Sequence, residues 1–270
     1  MPPLARVDLE SLLRAKRLDR TLTSALPPVP SSGPPDDLAV AAADLSPLDA
    51  PLGGGFPRGQ LSELVGPRSS GCTSLLLRMM AAATARGELV ALVDAVDRLD
   101  VASAQAAGID LERLLWIRGH VVSNPGLCRD SNQRALEQAV KALALVLQAG
   151  NFGVVAFDVA DAPPDAIRRL PFTTWFRLQR MVEGSQTTCV LVGAERVARS
   201  SAGLTIRLGS GGSACGPCER EWGPTSIKNA IRFRGRLFDG INVEARVTRV
   251  RAQVQEATAV ALATAASHDA

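Results

Sequence analysis

A chain of 270 residues, 46% apolar and 21% charged, is long enough to bury one large core with appendages. Its formal charge of +3 does not by itself call for a polyanion, and the lack of tyrosine beside seven phenylalanines argues against a base-stacking platform. No apolar run is long enough to span a bilayer, and five scattered cysteines fit a reducing compartment, so a cytoplasmic protein is expected.

Residues 7–24, RVDLESLLRAKRLDRTLT, read as an amphipathic helix with Leu9, Leu12 and Leu13 on one side. ALPPVPSSGPPDD follows, an extended Pro-rich linker over 25–37. The helix is tethered by it and must bury its stripe either on its own body or on another molecule. An alternating core begins near Leu38. QLSELVG (60–66) reads as a strand and CTSLLLRMMAAATARG (72–87) as a helix. ELVALVDA (88–95), a helix over 98–108 and RLLWIRG (113–119) come next, then a long helix over 131–150 capped at Ser131. FGVVAFDVA (152–160) and TTCVLVGAE (187–195) are apolar strands flanking a helix over 173–185. Strands that are apolar throughout and alternate with helices predict an α/β fold, a mostly parallel sheet covered on both faces.

Beyond Ser200 the pattern changes. LTIRLGS (204–210) is strand-like and is followed by a Gly/Ser-rich loop holding Cys215 and Cys218. That C-G-P-C matches the thioredoxin tetrapeptide, but it lies in this loop and is followed by EREWGP, without the rest of a thioredoxin pattern, so a solvated loop is the expectation. Only His120 and His268 are present in the chain, too few for a zinc site built on the pair. IRFRGRLF and INVEARV flank Asp239-Gly240 and predict an antiparallel β-hairpin. A three-residue turn places Val243, Ala245 and Val247 on one face and Arg232, Arg234, Arg236 and Arg246 on the other. This arginine face meets DNA phosphates or an acidic protein, or else stands solvated and partly paired with Glu244. The core is thus expected over 38–252, and the alanine-rich tail, 253–270, is expected to be disordered.

GPRSSGCTS, residues 66–74, lies between a predicted strand and a predicted helix with the spacing of a phosphate-binding loop. Gly66, Ser70, Gly71 and Thr73 stand where such a loop needs backbone N–H groups and a magnesium-binding hydroxyl, but Cys72 replaces the lysine. A charge-assisted hydrogen bond contributes roughly 1.5–3 kcal/mol, so this exchange should weaken triphosphate binding by a decade or more. Arg68, in the loop itself, is a poor positional substitute. Cys72 at a helix N-terminus is either a thiolate or simply a small neutral replacement.

The stretch LGGGFPRGQLSELVGPRSSGCTSLLLRMM (52–80) resembles the approach to the phosphate loop in the RecA recombinase family. LVALVDAVDRLDVASAQAAGIDLERLLWIRG (89–119) resembles that family's next strand, helix and strand, and the likeness extends to about residue 200. It implies a RecA-like core. In that family the second strand leads into Asp-Ala-Glu, whose glutamate activates the attacking water; this chain has Asp94, Ala95 and Val96, with Asp97 one residue on. Valine can neither orient nor deprotonate water. Asp158 matches the family's magnesium-positioning aspartate, and Glu195 falls near its γ-phosphate-sensing glutamine. The resemblance therefore implies a fold that no longer hydrolyses ATP and has no catalytic residue or required cofactor.

The separate N-terminal helix, the Pro-rich linker and the altered loop are most similar to ImuA, RecA-related proteins of the bacterial SOS response. That resemblance implies a non-catalytic accessory protein, nucleoid-associated when active. Its partners would be RecA and an ImuB-type Y-family polymerase-like protein, and it would support mutagenic translesion synthesis or restrain recombination. The alternatives are a slow Mg-ATP-binding switch and a DNA-binding module acting through the arginine face.

Overall fold

The computed structural model describes residues 40–121, 129–198, 202–209, 213–214, 240–250 and 259–265. The chain divides into two units, Met1–Asp36 and Asp37–Ala270. Leu9, Leu12, Leu13, Cys215, Cys218, Arg232, Arg234 and Arg236 lie outside the described residues.

The second unit opens with a short antiparallel pair, β1 (Val40–Ala41) and β2 (Phe56–Pro57), with α1 (Ser46–Asp49) between them. The alternating elements follow: β3 (Leu61–Val65), α2 (Cys72–Ala85), β4 (Val90–Asp94), α3 (Val101–Ala106) and β5 (Leu114–Arg118). Then come α4 (Arg129–Ala149), β6 (Val154–Asp158), α5 (Pro164–Arg169), α6 (Phe172–Val182), β7 (Thr188–Gly193) and β8 (Leu204–Leu208). β9 (Ser213–Ala214), β10 (Gly240–Val250) and β11 (Ala259–Ala265) complete the sheet. The order across it is β11-β10-β8-β3-β7-β6-β4-β5, parallel from β8 to β5 and antiparallel at β10 and β11.

This is the expected α/β architecture, and the apolar strands explain it. Val90 and Leu92 of β4 pack on one face of the sheet with Leu75, Leu76, Met79 and Met80 of α2. Ala91 and Val93 pack on the other with Leu136 and Leu143 of α4 and Trp175 and Leu178 of α6. Period-two alternation with both faces covered turns each strand into an unbroken apolar run. Each large side chain so buried contributes about 1.5–3 kcal/mol.

Two expectations are corrected. The long helix begins at Arg129, with Asp130 in its first turn, so Ser131 is not its cap. The tail is not wholly disordered: residues 259–265 form β11, and the sheet runs beyond the expected core limit at 252. A C-terminal antiparallel hairpin is present: β10, which contains the expected strand 241–247, pairs with β11 over Gly240–Arg246. The other expected strand, 231–238, lies outside the described residues. The register within β10 is as expected: Val243, Ala245 and Val247 are buried, while Glu244 and Arg246 are exposed. No helix among the described residues is long and apolar enough to cross a membrane.

Candidate functional site

In an open parallel sheet, ligands sit beyond the carboxyl ends of the strands, where the chain reverses its direction of winding. Here the chain passes from β3 to β4 with β7 and β6 lying between them in the sheet, and the loops after β3, β4, β6 and β7 converge on one cavity of about 310 Å³. Its walls include Gly66, Ser70, Gly71, Cys72 and Thr73 with Asp158, so the structure brings together every residue predicted from the loop. Asp94, Val96, Arg68, Arg98 and Asp161 also line it.

The loop's shape follows from its glycines. Gly71 has φ +90° at the entry to α2, and an added Cβ would stand 2.8 Å from the Val243 Cγ2 atom of β10. At Gly66 a Cβ would come within 2.8 Å of the Leu208 carbonyl oxygen of β8. Both sites exclude a side chain, so the loop is pressed close against the sheet extension behind it. The first-turn N–H groups of α2, from Cys72 on, have no intrahelical acceptor and face the cavity with the helix's positive end. Thr73 is exposed there.

Cys72 is 7% exposed, and its Sγ lies 3.3 Å from the Ser70 Oγ. Burial pushes its thiol above the ordinary range, Ser70 opposes that, and the nearby Asp158 carboxylate adds to it. Burial is the largest of these influences. The sulfur is a neutral thiol, not the thiolate that a helix N-terminus alone favours.

Asp94 and Asp158 are register partners at the ends of β4 and β6. Asp94 Oδ2 accepts from the backbone N–H groups of Arg98 at 2.6 Å and Leu99 at 2.8 Å, shaping the loop after β4. Burial lifts the Asp158 carboxyl to about 6, the Ala160 N–H opposes the shift, and Asp94 and Asp161 reinforce it. The cations on this wall are Arg68 and Arg98, and both meet Asp161, at 2.6 and 3.9 Å.

Other predicted residues lie elsewhere. Val96 lines the cavity, but Asp97 does not: its carboxylate is held by the Arg118 guanidinium through two bonds of 2.7 and 2.8 Å. Glu195 is exposed, 3.3 Å from Arg168, beside a neighbouring groove of about 490 Å³ that shares Arg68 and Asp161 with the first. Arg246 pairs with Glu244 at 2.8 Å.

Sequence reasoning missed Glu63. It is 1% exposed in the middle of β3, where Oε1 accepts from the Val197 and Ala198 N–H groups and Oε2 from Thr205 Oγ1. It ties down the loop that follows β7. The signal was a lone charge inside an otherwise apolar strand. Among the described residues no acidic, histidine or cysteine cluster is arranged to hold a metal by itself.

With this geometry in place, the relatives fall into line. Residues 36–165 match the RecA N-terminal domain family. The RecA protein of Acholeplasma laidlawii is 39% identical over 121 residues, 44% of this chain and 32% of the relative. That of Synechococcus sp. (strain CC9605) is 40% identical over 122 residues, 44% of this chain and 28% of the relative. RecA of Arthrospira platensis is 43% identical over 101 residues, 36% of this chain and 25% of the relative. The match thus spans a third or less of the length of these relatives. In three dimensions the crystal structure of the RadB recombinase is similar with a TM-score of 0.54 at 17% identity, covering 82% of this chain and 94% of that one. The fold is that of a RecA-like recombinase, and residues 36–165 are similar in sequence to the RecA N-terminal domain.

Proposed function

We propose that this chain is a non-catalytic RecA-like accessory protein of the SOS response to DNA damage. It binds RecA and an ImuB-type Y-family polymerase-like partner, and so supports mutagenic translesion synthesis or restrains recombination. One observation carries the reading. The cavity keeps the form of a phosphate site, yet a buried neutral thiol, Cys72, stands where a cation would span the outer phosphates. Val96 supplies an apolar wall where a base would activate water, and Asp97 is engaged by Arg118. A core that keeps the shape but lacks both groups suits a protomer mimic that joins or caps a filament without turning over. β5, the end strand among the described residues, with Leu115 43% exposed, offers a sheet edge to such a neighbour.

The first test is a calorimetric titration with Mg-ATP of the wild type and of Cys72→Lys. We expect no heat from the wild type and binding by the lysine variant, strengthened by about 10- to 100-fold. Micromolar binding by the wild type would instead favour the switch reading, in which the α2 N-terminus, Thr73 and Asp158 hold nucleotide without the lysine. The second test measures affinity for RecA filaments and for the polymerase-like partner after deletion of residues 1–37. Retained affinity would sink the version in which the N-terminal segment docks on the partner. The DNA-module reading predicts an affinity that falls steeply with salt and drops on Arg234→Ala.

A further inference from the structure

Far from the cavity in its chemistry, α6 carries two large apolar side chains on its solvent side. Its inner face, Trp175, Leu178 and Val182, is buried with α4 in the core cluster on the side of the sheet opposite α2. Phe172 and Phe176, one turn apart, are 38% and 45% exposed, and their rings pack edge to face with centroids 4.6 Å apart. Helical spacing puts Arg180 next along the same stripe and Arg177 beside it. Both arginines are exposed, and neither forms an ion pair among the described residues. The helix and its C-cap carry these two arginines against one glutamate, Glu183, a local excess of +1.

We propose that the outer face of α6 docks an acidic amphipathic helix of a partner protein, with apolar anchors over Phe172 and Phe176 and carboxylates against Arg177 and Arg180. Charge complementarity selects the occupant's sign, and aromatic and arginine side chains together have the composition of interface hot spots. The ring geometry selects a protein over a nucleic acid. More than half of each phenylalanine is already covered and the two planes stand at 90°, so the pair offers an apolar ridge rather than parallel faces for successive bases. This surface does not depend on the reading of the phosphate-like cavity.

The test is selection from a displayed library of helical peptides about four turns long, panned on the full chain and counter-selected on Phe176→Ser. The expected consensus has apolar residues at i and i+3 or i+4 flanked by Asp or Glu. A synthetic consensus peptide should bind at least about tenfold more weakly to Phe176→Ser and to Arg180→Glu, and its Glu→Lys version should regain affinity for Arg180→Glu. Both substitutions are at exposed positions, and unchanged thermal unfolding will confirm that the variants fold. The proposal is overturned by no enrichment, by a neutral or basic consensus, or by affinities that neither variant alters. Tight binding of oligothymidylate that is lost in Phe176→Ser would also overturn it, in favour of nucleic acid.

Discussion

Asp158 holds its carboxyl near pKa 6, against an ordinary 3.8, chiefly because it is buried. The folded state therefore binds more protons than the unfolded one between about pH 4 and 6. The stabilisation from the protonated form is complete below the unfolded pKa and is lost as pH rises through the folded one. Asp158→Asn removes that penalty while keeping an acceptor for Ala160. It should raise stability at pH 7.5 by up to about 3 kcal/mol, and the gain should shrink toward zero at pH 4. Urea unfolding at the two pH values checks this; an equal effect at both would mean that charge burial is not the cause. Glu63 is also buried, and its carboxylate accepts from two backbone N–H groups and a hydroxyl, with the Arg196 guanidinium 3.8 Å away. Glu63→Ala orphans those donors and should cost about 3 kcal/mol, measured by the same unfolding experiment. The identity of the loop residues was readable from spacing alone, because a phosphate-type loop needs glycine and small residues at fixed offsets. The state of Cys72 was not, because it depends on the burial around it.

Among the elements, contact between the loop and β10 is the least local. The Gly71 Cα carries no side chain where Val243 arrives from the other end of the chain. Gly71→Ala should destabilise by about 2 kcal/mol or more, from a positive φ and a close contact together. Adding Val243→Ala should recover only the contact part, so the pair should show coupling in a double-mutant cycle. Both residues lay in plain view in the sequence, but their meeting did not, because 172 positions separate them. Element types were legible where periodicity was strong: β4, β6 and β7 read as apolar runs, and α2 ends near Gly87 as expected. α5 was not expected, since six residues after Pro163 show too short a period. Strand β11, AVALATA, was read as a frayed tail because alanine gives neither alternation nor β-propensity; pairing with β10 makes it a strand.

For the whole molecule, the fold class followed from alternation, but the strand order did not, since β4 takes its place beside β6 only through contacts distant in sequence. The sheet's antiparallel end is the part most exposed to damage. Removing residues 259–270 bares the β10 edge over Gly240–Arg246 and should promote self-association, visible as increased light scattering at unchanged concentration. The same extension bears on how the chain is born. The ribosome delivers Gly66–Cys72 well before β10, yet Val243 and the end of β8 are what hold that loop against its support. Domains generally settle in the order of synthesis. Gly66–Cys72 therefore meets its last neighbours, Val243 among them, only after β10 has been translated.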